Sequence, residues 1–392
     1  MHSNKPFRVV CLNYLAYFMI IGSWTPFITI YLQAAGWSGL EIGLFNALGP
    51  LAAFLTQPLW GLVSDAWGNV RLLYILLVAA TAGTVAIFGL LPVSGLFLAL
   101  AVLMGVIQGP LTAMLDSMAV QALERSSDRI GQARLWGSFS FATIALLMGP
   151  IFERSQTSIF WVFVLTSILA ILASLSMPRA NAAQRHKIDF SLKTAKQAVS
   201  LPFLFFLGAA FLLQLGNSTS LPFLSLVLVE RGASSTIVGY AWSFTALVEI
   251  PVFAITRKLL RRYRPEQLVI AAGLIQTLRM FLFAITPNPW MLVLIHCIEG
   301  LAFPLTTVAF VLLVDELVKP AFRTTGFTLQ SAFTYTLPRF LGGIWGGALL
   351  DRMGGTGLYL AGAATALLGT GAMMMWNRKF RSSGAYTPGL YS

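Results

Sequence analysis

The feature that most constrains this chain is a block of about twenty apolar residues that returns, between polar breaks, from one end to the other. A helix of that length crosses a hydrocarbon core of ~30 Å. The blocks fall near residues 9–33, 38–63, 72–92, 95–122, 130–152, 159–177, 201–229, 235–256, 267–286, 290–314, 324–350 and 356–376. None shows the period-two alternation of a barrel strand, and unpaired strand edges cannot face lipid. The pattern therefore predicts an all-α membrane protein with twelve transmembrane helices.

Of the 392 residues 57% are hydrophobic and 10% charged, where a soluble domain carries roughly 25% charge. Cys11 and Cys297 lie far apart inside apolar blocks, which argues against a disulfide framework and a thiol metal site. The net charge of +12 has a topological explanation rather than a nucleic-acid one. Of the 26 Lys and Arg residues, twenty fall on the side of the N-terminus, three opposite (Arg154, Arg231, Arg352) and three inside spans. By the positive-inside rule both termini are expected in the cytoplasm, in the cell (inner) membrane. The opening MHSNKPFR leads into a block longer than the apolar region of a signal peptide, so the first helix is expected to stay attached.

One long polar connection, PRANAAQRHKIDFSLKTAKQAVSLP, divides the spans six and six. The expected organisation is an N-terminal bundle over 1–177, a cytoplasmic linker over 178–200, a C-terminal bundle over 201–376, and a disordered basic tail over 377–392.

Ionisable residues inside the spans point to what such a chain does, because each costs roughly 2.5–3.5 kcal/mol in hydrocarbon unless paired or hydrated. They are Asp116 and Arg134 in spans four and five, Glu249 in eight, Arg279 in nine, His296 and Glu299 in ten, and Arg339 in eleven. Three acids thus match three arginines. His296 and Glu299 are three apart, one helical turn, and Arg279 is expected at a similar depth on the adjacent span. A carboxyl that alternately meets and leaves a guanidinium changes its proton affinity, which is a coupling device in outline. Arg339 follows Pro338 and precedes the run GGIWGG. Inside an apolar span that run reads as helix packing rather than a phosphate loop, and its arginine has no assigned role. His2 and His186 lie in soluble segments and no HExxH run exists, so no metal, cofactor or enzymatic activity is expected.

After the second span the chain reads QPLWGLVSDAWGNVRLL, in which Gly61, Asp65, Gly68 and Arg71 resemble the loop signature of the major facilitator superfamily, with one extra residue before the basic position. The segments YFMIIGSWTPFITIYL, IGQARLWGSFSF and LIHCIEGLAFP extend the resemblance to the branch of proton symporters that holds the lactose, nucleoside and phenylpropionate permeases. The resemblance implies two six-helix bundles of inverted three-helix repeats, with a solute cavity at the midplane between them and alternating access. It also implies a monomer that binds a small-molecule substrate and a proton.

Residue by residue, Asp116 and Arg134 are similar to that branch's sugar-binding acid and arginine. His296, Glu299 and Arg279 are similar to its proton-coupling set, and Glu249 to its helix-eight acid, nearly one turn deeper. The loop residues Gly61, Asp65, Gly68 and Arg71 would gate the cytoplasmic side. Phe141 stands where the galactose-stacking tryptophan belongs, and Gln214 and Asn217 occupy a seventh span that lacks the usual charged pairs. These three are expected to bind substrate. The departures speak against galactosides. A sugar is the leading expected solute, followed by an aromatic acid or a nucleoside. Export of drugs or lipids is the alternative from another class.

Overall fold

In the computed structural model of the chain, residues 5–123, 127–178, 200–319 and 322–380 are described. Every regular element among them is helical: α1 Lys5–Trp24, α2 Ile28–Ala34, α3 Gly39–Trp67, α4 Val70–Leu90, α5 Leu96–Gln108, α6 Leu111–Ala122, α7 Ser127–Arg154, α8 Ser158–Leu175, α9 Leu201–Ser220, α10 Leu224–Glu230, α11 Ser235–Leu259, α12 Pro265–Ile285, α13 Pro289–His296, α14 Glu299–Leu317, α15 Arg323–Ser331 and α16 Leu337–Phe380. Local chemistry sets several of the ends. Ser38 and Glu41 form a reciprocal capping box at the start of α3, and Gly68, with φ 70°, ends that helix in the left-handed region.

Joined end to end, these helices make eleven stretches long and apolar enough to cross a membrane among the described residues, and the protein is a multi-pass integral membrane protein. Ten of them lie close to the expected blocks. The last, Thr325–Phe380, runs for 56 residues, about twice the length a bilayer needs. It is broken at Gly354, whose φ of 64° and ψ of −173° belong to no helix. That glycine divides it where the sequence placed the boundary between the eleventh and twelfth blocks.

Interruptions recur at every third stretch. The first breaks between α1 and α2 near Pro26, the fourth between α5 and α6 at Gly109–Pro110, the seventh in a 3₁₀ turn at Leu221–Phe223, and the tenth at Cys297–Ile298. Prolines explain three of these, since each removes a backbone donor. At Cys297–Ile298 the chain tightens instead, with Gly300 and Leu301 N–H bonded three residues back to the Cys297 and Ile298 carbonyls. A period of three spans is the mark of an internal three-helix repeat.

The chain forms two compact units, Met1–Gln184 with Ser225–Leu247, and Arg185–Leu224 with Val248–Ser392. This grouping differs from chain order, since Ser225–Leu247 packs with the first unit. Small residues allow the close crossings in both. In the first, a Cβ on Gly22 of α1 would stand 2.5 Å from Ile144 of α7, and one on Gly149 of α7 would stand 2.8 Å from the Thr236 Cα of α11. In the second, Gly342 of the GGIWGG run lies against the backbone of Ser218 and Thr219 in α9, so the run does serve helix packing. The helix α16 continues to Phe380, four residues into the stretch expected as a tail. Residues 381–392 and most of the expected linker, 179–199, lie outside the described residues.

Candidate functional site

In the first unit two hydroxyl rungs join α1 to α6. Tyr14 and Tyr17, one turn apart on α1, meet Asp116 and Thr112, one turn apart on α6. The Tyr14 hydroxyl donates to Asp116 Oδ1 at 2.6 Å, and the Tyr17 hydroxyl lies 2.8 Å from Thr112 Oγ1. Arg134 of α7 approaches the other oxygen of Asp116, Nη1 to Oδ2 at 3.5 Å. The side chains of Arg134 and Asp116 are 54% and 34% exposed, so this pair can still offer hydrogen bonds to a solute. Phe141, two helical turns on from Arg134, packs its ring against Trp242 at 6.2 Å. The rung through Tyr14 was not foreseen, because a tyrosine in an apolar span carries no penalty that would single it out.

The second unit holds a buried ion pair. Arg279 Nε of α12 lies 3.0 Å from Glu299 Oε2 of α14, with side-chain exposures of 0% and 5%. The contact is an attraction of charges set off the N–H direction rather than a hydrogen bond. Neutral amides supply the alignment. Asn217 accepts from Arg279 Nη2 through Oδ1 and donates through Nδ2 to Glu299 Oε1, both at 3.0 Å, and Gln276 Nε2 donates to the same Oε1 at 3.5 Å. His296 Nδ1 lies 3.5 Å from Arg279 Nη1. Since a guanidinium only donates, Nδ1 accepts, and the fitting tautomer carries its proton on Nε2.

His296, Glu299 and Arg279 do converge, with the break at Cys297–Ile298 lying between the first two. Asn217 sits inside the ion pair. Gln276, one turn before Arg279, joins the cluster although the sequence reading did not select it. Gln214 is buried, 8% exposed, and its Oε1 has no hydrogen-bond partner among the described residues. Glu249 is half-buried on α11, where the Glu299 carboxylate acts on it electrostatically. Of the three acid–arginine matches, two form ion pairs, and Glu249 and Arg339 form none with each other. Arg71 donates to the carbonyls of Leu175 and Met177 at 3.3 and 2.8 Å, at the C-terminal end of α8. Gly61 and Asp65 lie in α3 and Gly68 caps it; the Asp65 side chain is outside the described residues. Beyond the expected set, Asp315 and Arg323 close the α14–α15 turn at 2.7 Å. No cluster of metal-ligating side chains occurs among the described residues.

An all-helical chain with interrupted spans and charged groups held at span depth is the architecture of a secondary transporter. The sequence profile described as the MFS_1 like family matches residues 9–361. The chain belongs to that family, a branch of the major facilitator superfamily of membrane transporters. It is 28% identical over 385 residues to the maltose permease of Geobacillus stearothermophilus, covering 95% of each chain. It is 25% identical over 299 residues to the "Probable 3-phenylpropionic acid transporter" of Escherichia coli, covering 74% of this chain and 78% of that one. The crystal structure of nucleoside transporter NupG superposes with a TM-score of 0.83 at 19% identity, over 95% of this chain and 99% of the other. At that identity the likeness is one of fold.

Proposed function

We propose that the protein is a proton-coupled symporter of a small polar organic solute, sugars being the leading class, working by alternating access. The observation that carries this reading is the buried Arg279–Glu299 pair, 3.0 Å apart, bridged by the Asn217 amide and with His296 beside the arginine. Any motion that draws Glu299 from Arg279 removes the guanidinium that balances its charge, which couples movement to protonation. Glu299 is the proton carrier in this reading. Arg279 and His296 hold it, and Glu249 links it to solute.

Solute hydroxyls hydrogen-bond to the accessible Asp116–Arg134 pair beside Tyr14, with the ring of Phe141 nearby; Gln214 and Asn217 are further substrate-binding residues in this reading. A saccharide both gives and accepts such bonds. The arms on either side of Gly354 serve as spans eleven and twelve of two six-helix bundles. The count of Lys and Arg puts both termini in the cytoplasm, at the inner membrane. Gly61, Asp65, Gly68 and Arg71 form the cytoplasmic gate, and the working unit is a monomer.

The test is proton movement. Purified protein in de-energised vesicles with weak internal buffer receives sugars, nucleosides and aromatic acids one at a time while external pH is recorded, with protein-free vesicles as the control. External alkalinisation on adding one class is expected, and it should vanish in Glu299→Gln while solute exchange persists. Unchanged alkalinisation in that variant overturns the assignment of the proton site. Silence across the panel, with protection of the protein by dyes or lipids, favours an exporter.

A further inference from the structure

Arg339 is a cation half-way along the arm of the last stretch between Thr325 and Gly354. Its side chain is exposed, and among the described residues no carboxylate lies within 4.0 Å of it. The acid that would balance it by number, Glu249, forms no ion pair with it. A guanidinium does not shed its proton, and at this depth it is disfavoured against lipid by roughly 2.5–3.5 kcal/mol. An arginine here calls for water or an anion beside it, and no carboxylate among the described residues supplies that anion.

The surrounding backbone is shaped to present it. The five residues Ala332–Thr336 form a π turn, a rare widening that clusters at functional sites, and Pro338 then removes a further backbone donor. The ring contact of Phe211 with Phe333 and the crossing of Ser218 with Gly342 set the stretch of chain that carries Arg339 beside the stretch 211–218 of α9. The latter stretch holds Gln214, buried with an acceptor oxygen that has no partner among the described residues. A charged donor fork and an orphan acceptor on adjoining stretches of two packed helices match a carboxylate next to a hydroxyl.

We propose that Arg339 anchors a carboxylate of the transported solute and that Gln214 Oε1 accepts from a neighbouring hydroxyl, so that the solute is a hydroxylated organic acid such as a sugar acid. The proposal rests on the symport reading and sharpens it. One monoanion moving with one proton carries no net charge, whereas a neutral sugar moving with a proton carries one.

The experiment pairs two readouts. Equilibrium binding is measured by titration calorimetry on the detergent-solubilised protein, and proton movement in vesicles with and without a valinomycin-set potential. The probes are glucuronate and gluconate, 3-phenylpropionate as an acid without hydroxyls, and maltose as a neutral sugar. A hydroxylated acid should bind and should move protons independently of the potential. Arg339→Gln should weaken its binding about thirtyfold or more and Arg339→Lys less, as expected for loss of a charge-assisted fork. Gln214→Leu should weaken the hydroxylated acids several-fold and leave 3-phenylpropionate unchanged, on the scale of one neutral hydrogen bond. Size-exclusion profiles that match the parent protein show that the variants fold.

Maltose binding and potential-dependent proton movement, both unaffected by Arg339→Gln, overturn the anion site and leave symport standing. Acid binding that is lost in Arg339→Gln, without proton movement in the parent protein, overturns symport and leaves the anion site standing. Failure of every acid to bind the parent protein overturns the anion site. 3-Phenylpropionate binding as tightly as the hydroxylated acids overturns the role of Gln214 alone.

Discussion

The Tyr14 hydroxyl lies 2.6 Å from Asp116, nearer than the 3.5 Å at which Arg134 meets the same carboxylate. The phenol, rather than the arginine, therefore fixes the carboxylate against α1, while Arg134 stays largely exposed and able to turn toward solute. Tyr14→Phe keeps the ring packing and removes one hydrogen bond to a charged group, a loss of about 1.5–3 kcal/mol. The expected result is a rise of roughly tenfold or more in the half-saturating solute concentration, read in the vesicle proton-movement assay with the solute it identifies. Thermal stability should fall by less than that full amount, because Asp116 remains reachable by Arg134 and by water.

The Arg279–Glu299 pair makes a different prediction, because it is buried on all sides. Removing one member leaves a stranded charge, at a cost of about 3–5 kcal/mol, whereas replacing both by apolar residues of similar size is often neutral or stabilising. Arg279→Leu alone should therefore lower the melting temperature in detergent strongly, and the double variant with Glu299→Leu should recover most of the loss. Solute exchange should be recovered in neither. Restored transport in the double variant would show that the pair only holds the helices together. Asn217→Leu tests the amide bridge, since it takes one hydrogen bond from each partner and leaves the charges in place. It should destabilise less than Arg279→Leu.

The convergence of Arg279, His296 and Glu299 was legible in the sequence because charge in hydrocarbon is costly, so few charged residues occur and their spacing carries information. Neutral polar residues leave no such trace. Tyr14 and Gln276 look like ordinary members of apolar spans, and nothing in the sequence around Asn217, expected to bind solute, announces that its amide bridges the ion pair. The breaks divide in the same way. Pro26, Pro110 and Pro222 announce theirs, while the tightening at Cys297–Ile298 contains neither proline nor glycine and depends on packing that a single sequence does not display. The positions of the long helices were readable for the opposite reason, since some twenty apolar residues in a row allow few alternatives.

Two glycines with positive φ should respond differently to the same substitution. Gly68 has φ 70° and ψ −8°, close to the left-handed region that asparagine enters with small penalty. Gly354 has φ 64° and ψ −173°, a region that glycine alone reaches at low cost. Gly68→Asn should be tolerated within about 1 kcal/mol, whereas Gly354→Asn should cost of order 1–3 kcal/mol and disturb the junction between the two arms of the last stretch. Thermal unfolding in detergent separates the two cases. Equal tolerance at both sites would mean that the junction does not need the turn seen at Gly354.

The crossing of α9 with α16 gives a final contrast, between a glycine that is a contact and one that is not. A Cβ on Gly342 would stand 2.7 Å from the Ser218 carbonyl carbon and 2.9 Å from the Thr219 nitrogen, and backbone atoms cannot rotate away as a side-chain tip can. Gly208 of α9, by comparison, has nothing within 4 Å of its would-be Cβ. Gly342→Val should force the helices apart, with an overpacking penalty of about 1–3 kcal/mol. Gly208→Ala should be neutral or slightly stabilising, because it removes the backbone freedom that glycine loses on folding. The separation matters for transport as well as for stability, since Gly342 lies one turn from Arg339 and sets how closely that arm of α16 approaches Gln214. Gly342→Val is therefore expected to weaken solute binding along with stability, and Gly208→Ala to change neither by more than about twofold, on the scale of an ordinary surface substitution. Loss of stability in Gly342→Val with solute affinity intact would separate the crossing from the binding seam.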